Sequence, residues 1–309
     1  MQMTQSRMAD YSTIYLLKRG FAGSLGIAIA ISLPAVYGKS AFETRTTVMT
    51  KSTNERSEQS PSSQPRQTCC PIVELRQYTL HPGKRDILIE LFDREFVESQ
   101  EAVGMRVIGQ FRDLNDPNRF VWLRGFRDMP SRAQSLKEFY GGPVWKAHRE
   151  PANATMVDSD NVLLLRPALP LSGFSVNSDH RPQPRANEVS QGLLIATIYY
   201  FNAPVGTDFV DFFEHTLKPV VTDTGPSILA YFVTEQSANT FPALPVREAE
   251  HVFVWFMRFE DQAAYERHAA ALSQSQRWRG EVSDELARRL KGAPEVLKLS
   301  PTARSRWRG

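Results

Sequence analysis

The sequence is poor in cysteine: among 309 residues only Cys69 and Cys70 carry a thiol, and they are neighbours. Neighbouring residues rarely meet the geometry of a disulfide, and no set of Cys and His has the spacing of a zinc site. We therefore expect two free thiols ahead of the first strand and no bound metal. A haem held by His148 stays open as an alternative, although this histidine has no partner at a metal-ligand spacing.

The chain also has little net charge. Its formal charge is +3, and residues 1–67 hold eight Lys or Arg and four Asp or Glu, a net +4, which leaves −1 for the rest. A nearly neutral folded part argues against a partner with a phosphate backbone, so we expect no nucleic-acid binding. The sequence likewise contains no nucleophile elbow, P-loop or dinucleotide fingerprint. Catalytic activity is left open by these absences.

The N-terminal segment, residues 1–67, differs in composition from the rest. A basic pair precedes residues 20–38, a charge-free stretch rich in Gly, Ala and Ser. This order is typical of a signal peptide or a membrane tether, which would export or anchor the protein. A cytoplasmic protein is the alternative, because the stretch is only modestly apolar and free neighbouring thiols suit a reducing compartment. Residues 51–67 form a polar linker that we expect to be disordered.

The rest of the chain contains the same pattern twice. Adding 121 to positions in the first copy maps Tyr78 onto Tyr199. After a longer loop around residues 240–250, adding 133 maps Trp122 onto Trp255. Many further matches follow in the same order, so we interpret the chain as an internal duplication with one surface-loop insertion.

Each copy has the order strand, helix, strand, strand, helix, strand. This βαββαβ order predicts an α+β fold of two tandem ferredoxin-like units, residues 70–168 and 192–301, joined by a linker at 169–191. Both helices of such a unit cover one face of its sheet, so the other face needs a partner. We expect the two sheets to close against each other into a pseudo-symmetric dimeric α+β barrel. Further self-association into a homo-oligomer stays open.

Three runs of the first copy resemble the NIPSNAP family, which belongs to the dimeric α+β barrel superfamily. They are CCPIVELRQYTLHPGKRD, GMRVIGQFRDLNDPNRFVWLRGFRDM and FYGGPVWKAHREPANATMVDSDNVLLLRP. The resemblance covers 70–168 strongly and 192–301 more weakly, and it implies ferredoxin-like units paired into a barrel. Family members have been associated with mitochondria and with protein or vesicle contacts, and barrel relatives include cofactor-free monooxygenases, isomerases and haem enzymes. The fold alone does not choose among these.

Strand alternation assigns side chains to faces. Aliphatic residues of the first and third strands fall on one face, while Glu74, Arg76, Tyr78, Trp122 and Arg124 fall on the other. Aliphatic residues suit the helix-covered face, so we expect the charged and aromatic set to line the barrel interior.

The second copy keeps the aromatic residues of this set and loses its charged ones. Glu74, Arg76 and Arg124 correspond to Ile195, Thr197 and Met257. We therefore take the three charged residues as a specialised set.

Two interpretations of the specialised set are open. It is either a structural ion-pair network, or a pocket that binds a small anionic or phenolic molecule in a protein that is a binder or a cofactor-independent enzyme. His81, in the turn after strand one, and Tyr78 are the candidate catalytic groups. His268 is expected at the surface or a loop edge.

A protein of another class is the remaining alternative. It is a non-catalytic interaction or scaffold protein with a solid barrel. A filled interior with Glu74 fully paired would favour it, whereas a solvent-reachable void beside Tyr78 would favour the binder.

Overall fold

The computed structural model describes residues 68–175, 181–188 and 190–307. The predicted signal or tether segment and the linker at 51–67 lie outside the described residues, as does part of the predicted linker at 169–191. No helix within the described ranges is long and apolar enough to cross a membrane.

The order of elements in the described chain repeats once. The strands are β1 (Ile72–Leu80), β2 (Arg106–Asp113), β3 (Arg119–Phe126), β4 (Met156–Pro167), β5 (Leu193–Phe201), β6 (Ile228–Thr234), β7 (His251–Phe259) and β8 (Glu295–Pro301). The helices are α1 (Arg85–Leu91), α2 (Val97–Ala102), α3 (Met129–Gly141), α4 (Pro143–Asn153), α5 (Thr207–Phe212), α6 (Lys218–Thr222), α7 (Gln262–Gln274) and α8 (Ser283–Arg289). π-helical turns at Phe92–Phe96 and Phe213–Leu217 join α1 to α2 and α5 to α6, and a third, Trp278–Val282, precedes α8.

Local signals in the sequence explain where the helices begin and end. The Asp128 carboxylate accepts a hydrogen bond from the Ser131 backbone N–H at 2.6 Å and caps α3. Asp261 caps α7 in the same way through the Ala264 N–H at 2.7 Å. Gly104 ends the first helical segment with a φ of +89°, a conformation that favours glycine.

The strands form one closed antiparallel barrel in the order β1-β3-β2-β8-β5-β7-β6-β4. Two short pairings join the halves: β2 pairs with β8 from Phe111 to Asp113, and β4 pairs with β6 from Leu165 to Pro167. An α+β barrel, the broad fold predicted from the sequence, is therefore confirmed.

Apolar side chains from both halves fill the barrel. Val73, Leu75, Val121 and Leu123 meet their counterparts from β5 and β7 in one buried cluster, which also includes Leu297 and Leu299 of β8. Phe174 and Trp307 pack into the same cluster, with ring centroids 5.6 Å apart. The interior is a packed core, like the interior of other small barrels.

The prediction of which face lines the barrel was wrong. Tyr78, Trp122 and the other aromatics of their face pack against α1, α2 and α3 rather than inside the barrel. Glu74, Arg76 and Arg124 lie on this helix-covered face too. The reason is that both faces of this sheet are buried. Strand alternation therefore separates the two faces without showing which of them the helices cover.

The expectation of two free thiols was also wrong. The sulfurs of Cys69 and Cys70 are joined in a disulfide between neighbouring residues, just ahead of β1. The side chain of Cys70 is buried in the barrel core.

Candidate functional site

A single buried carboxylate organises the charged side chains of the first half. Glu74 on β1 accepts hydrogen bonds from Arg76 at 2.8 Å, from Arg124 on β3 at 2.7 Å and from Arg132 on α3 at 2.7 Å. The side chains of Glu74, Arg124 and Arg132 are 0 % exposed and that of Arg76 is 1 % exposed. We call these four residues the arginine cluster.

The arginine cluster keeps Glu74 ionised. Burial by itself would raise the pKa of this carboxyl, but the neighbouring guanidinium groups, Arg124 most strongly, more than offset burial and hold the pKa well below its usual range. Burial lowers the pKa of Arg132, and the charge of Glu74 opposes that effect. Three guanidinium groups around one carboxylate leave an excess of two positive charges in the interior.

Aromatic rings surround the arginine cluster and contact its guanidinium groups. The guanidinium of Arg124 lies over the ring of Trp122, 5.0 Å from its centroid, and that of Arg76 lies 5.6 Å from the same ring. Arg76 also donates through Nε to the Tyr78 hydroxyl at 3.0 Å. Burial raises the pKa of Tyr78, so this hydroxyl stays protonated at neutral pH. The rings therefore offset part of the positive charge without an added anion.

Arg132 is the member of the cluster that sequence reasoning missed. The shift of 133 that pairs Arg124 with Met257 also pairs Arg132 with Tyr265, so the same comparison continued into the helix would have found it. Strand alternation concerns strand residues alone, whereas Arg132 reaches the strand residue Glu74 from α3.

The inserted loop of the second half covers the cluster. Arg132 donates to Asn239 Oδ1 at 3.0 Å and to Thr240 Oγ1 at 3.1 Å. The ring of Phe241 stacks on Tyr140, with centroids 6.0 Å apart. Residues 240–250 were predicted to form a surface loop. Their outer face is exposed, but their inner face is part of the first half's core.

Almost no space is left beside these residues. The cavity bordered by Tyr78, Gln100, Trp122 and Tyr140 measures about 30 Å³, enough for one water molecule. The described first half therefore lacks a ligand-sized, solvent-reachable void beside Tyr78, which is the feature expected of a ligand pocket.

The matching place in the second half is a cavity of about 230 Å³. It lies between the sheet and α7, and its lining includes Ile195, Thr197 and Met257, the counterparts of Glu74, Arg76 and Arg124. Tyr199 and Trp255, the counterparts of Tyr78 and Trp122, also line it. We call this space the second-half cavity. None of its lining side chains is charged.

Smaller side chains on α7 explain why the second-half cavity is open. Leu136 and Phe139 of α3 are buried, whereas their counterparts Ala269 and Leu272 are shorter and at least partly exposed. The opening to solvent lies at Ala269, Pro294 and Val296.

His268 lines the second-half cavity and is only 6 % exposed, so its expected place at the surface was wrong. Its Nδ1 lies 3.2 Å from Thr224 Oγ1, and that hydroxyl donates its hydrogen to the Val221 carbonyl at 3.2 Å. The hydroxyl therefore accepts from Nδ1–H, and we assign the proton to Nδ1. Nε2, with its lone pair, is the nitrogen that can meet a ligand.

The other histidines considered from the sequence lie elsewhere. His81 is exposed in the turn after β1, outside the contacts of the arginine cluster. His148 is half-buried, with Nε2 3.5 Å from a carboxylate oxygen of Glu95. Within the described ranges, no group of three or more His, Cys, Asp and Glu side chains is placed to hold a metal ion.

Comparison with known families finds a match within the first half of the barrel. Residues 73–170 match the NIPSNAP family. The resemblance predicted from the three sequence runs is thereby confirmed, and the match spans β1 to β4 with the whole arginine cluster. A comparison with curated proteins finds no match.

Solved structures resemble either about a third of this chain or about three quarters of it. A NIPSNAP-like domain protein from Burkholderia xenovorans is 31 % identical, with 31 % of this chain and 84 % of that chain covered and a TM-score of 0.29. An anthrone oxidase-like protein is 14 % identical, with coverages of 75 % and 91 % and a TM-score of 0.45. A DyP-type peroxidase from Mycobacterium smegmatis is 9 % identical, with coverages of 78 % and 97 % and a TM-score of 0.45. At these TM-scores the likenesses carry no inference about activity.

Proposed function

We propose that this protein binds a small, neutral and mainly apolar molecule in the second-half cavity, and that the NIPSNAP half is its rigid support. The observation that carries the proposal is the cavity of about 230 Å³ without a charged lining residue. Apolar cavities of about 150 Å³ already accept a benzene-sized ligand, so a ligand of one or two rings fits.

The lining supports a ligand with one polar group. Tyr199, Trp255 and Trp278 offer ring faces and edges, while His268 Nε2 offers a hydrogen-bond acceptor. Burial raises the pKa of Tyr199, so this group stays a neutral phenol. A bound anion would find no counter-charge among these lining residues, which favours a neutral aromatic ligand that carries a hydroxyl group.

Binding of 1-naphthol, followed by the fluorescence of the cavity tryptophans, tests the proposal. The matched variant Ala269→Leu with Leu272→Phe copies Leu136 and Phe139 and fills the cavity. We expect it to fold and to lose binding. Ala270→Leu, an exposed position on the same helix, is the control and should bind like the wild type. Equal binding by the filled variant would refute the proposed site.

Naphthalene, which lacks the hydroxyl group, tests the part played by His268. We expect the wild type to bind 1-naphthol about threefold to tenfold more tightly, the effect of one hydrogen bond. His268→Phe should bind the two probes alike. If His268→Phe still binds 1-naphthol more tightly than naphthalene, another group accepts the hydrogen bond from the ligand hydroxyl.

A second candidate function is supported by the filled barrel. It is a non-catalytic interaction or scaffold protein, favoured by the packed interior and by the pairing of Glu74 with three arginines. Failure of the wild type to bind either probe would favour this candidate. Self-association and a tether through residues 20–38 remain predictions that belong with it.

We also propose that the two halves are tandem ferredoxin-like units. The strand orders support this: β4-β1-β3-β2 in the first half is repeated as β8-β5-β7-β6 in the second. Catalysis is not part of the proposal, since binding alone accounts for the cavity.

A further inference from the structure

The arginine cluster carries more positive charge than its protein partners balance. Arg76, Arg124 and Arg132 share one carboxylate, that of Glu74, in a place without solvent exposure. Buried charges are normally paired, because an uncompensated charge loses its hydration without gaining a counter-charge.

Neutral acceptors bond only some of the guanidinium N–H groups and add no negative charge. Arg124 Nη1 donates to Gln100 Oε1 at 3.1 Å, and Arg132 Nη1 donates to Asn239 and Thr240. In contrast, Nη2 of Arg124 and Nη2 of Arg132 are buried without a hydrogen-bond partner among the described residues. Two unpaired donors on groups of like charge point to an acceptor with negative charge.

Neither Tyr78 nor Glu74 can be the negatively charged acceptor of these two donors. Tyr78 is the ionisable hydroxyl that Arg76 contacts, and burial raises its pKa, so it does not become a phenolate at neutral pH. The side chain of Glu74 is already shared among all three guanidinium groups. Among the described residues, no further negative charge contacts the three guanidinium groups.

The space available limits the size of the anion. The guanidinium of Arg124 bonds Gln100 and lies over the rings of Trp122 and Tyr140, and these three residues border the cavity of about 30 Å³. A space of this size admits a water-sized particle. A carboxylate with a carbon chain, or a phosphate, would need Phe241 and the inserted loop to move.

We propose that the arginine cluster of the first half binds a monatomic anion of the halide class, held by the free donors of Arg124 and Arg132. This site is separate from the second-half cavity and does not rest on the function proposed for it. The anion reduces the excess positive charge of the arginine cluster. It also stabilises the position of the inserted loop, because Arg132 contacts both the anion and Asn239.

The test uses the whole chain and two sodium salts. Gluconate is replaced stepwise by bromide at constant ionic strength, and the midpoint of thermal unfolding is recorded. We expect the midpoint to rise with bromide, because an anion that binds only the folded state stabilises it by mass action. Once bromide exceeds its dissociation constant, each tenfold increase should lower the unfolding equilibrium constant about tenfold.

Variants separate the site from a general salt effect. Arg124→Met and Arg132→Tyr, which install the residues of the second half, should abolish the bromide response, whereas Arg94→Met at an exposed arginine should keep it. Equal curves in bromide and gluconate, or a response that survives in both cluster variants, would overturn the proposal. If neither cluster variant folds, bromide anomalous scattering from wild-type crystals decides: a peak beside Arg124 supports the site, and no peak refutes it.

Discussion

Val162 and Val296 occupy the same position in the two halves of the barrel, yet Val162 is fully buried and Val296 is 37 % exposed. Each pairs across the sheet with a matching residue, Val162 with Arg76 and Val296 with Thr197. The inserted loop makes the difference, because the Arg247 N–H donates to the Val162 carbonyl at 2.9 Å and holds the loop over the first half. The same residue type therefore lies in a closed core in one half and at the mouth of a cavity in the other.

The substitution Glu74→Gln removes the only carboxylate of the arginine cluster. It leaves three buried guanidinium groups without a counter-charge, and breaking a buried pair in this way costs about 3–5 kcal/mol of unfolding free energy. Urea denaturation of wild type and variant measures the loss. Glu90→Gln is the control, since Glu90 is 77 % exposed and its pair with Arg94 should contribute at most about 1 kcal/mol. A loss for Glu74→Gln no larger than for the control would contradict the role given to the cluster.

Replacing the whole cluster should cost less than breaking it. The fourfold variant Glu74→Ile, Arg76→Thr, Arg124→Met and Arg132→Tyr installs the residues that the second half uses on the same fold. Exchange of a buried ionic cluster for apolar residues is often neutral or stabilising. We expect the fourfold variant to have a larger unfolding free energy than Glu74→Gln in the same urea titration. The reverse order would show that the charges are needed for the fold itself.

The inserted loop should contribute to the stability of the first half through Phe241. Phe241→Ala removes the stack on Tyr140, and because Phe241 is only half-buried the loss should be about 1–2 kcal/mol, below that of a fully buried Phe. Hydrogen exchange of the Arg247 amide should accelerate in the variant as the loop loosens. Leu171→Ala, at a position 63 % exposed, should stay within about 0.5 kcal/mol of the wild type.

Stability should fall in mild acid because of His268. Burial lowers the pKa of His268 below its ordinary 6.5, although the hydrogen bond to Thr224 opposes this. Below about pH 6.5 the unfolded chain takes up a proton that the folded chain does not, so the unfolding free energy decreases until the lowered pKa is reached. Above pH 6.5 the contribution is fully present. In urea titrations at pH 7.5, 6.5 and 5.5, His268→Gln should show a shallower decline, and parallel declines would contradict this assignment.

The sequence by itself determined the order of strands and helices and the broad barrel fold. These depend on local signals such as the caps Asp128 and Asp261 and the glycine at position 104. Such signals act through the backbone within a few residues, so one sequence is enough to recognise them. The same comparison of copies singled out Glu74, Arg76 and Arg124 as residues of one half only.

Only the tertiary structure decided which side of the sheet these residues occupy and what they meet there. Strand alternation separates two faces but does not say which face the helices cover, because both faces of this sheet are buried. Arg132 joins Glu74 from 58 residues away, and the loop that closes the cluster comes from the other half of the chain. Contacts between distant segments follow from packing of the whole barrel. In the second half, uncharged residues replace the charged set and the side chains on α7 are smaller. The same packing therefore leaves the second-half cavity open at this position.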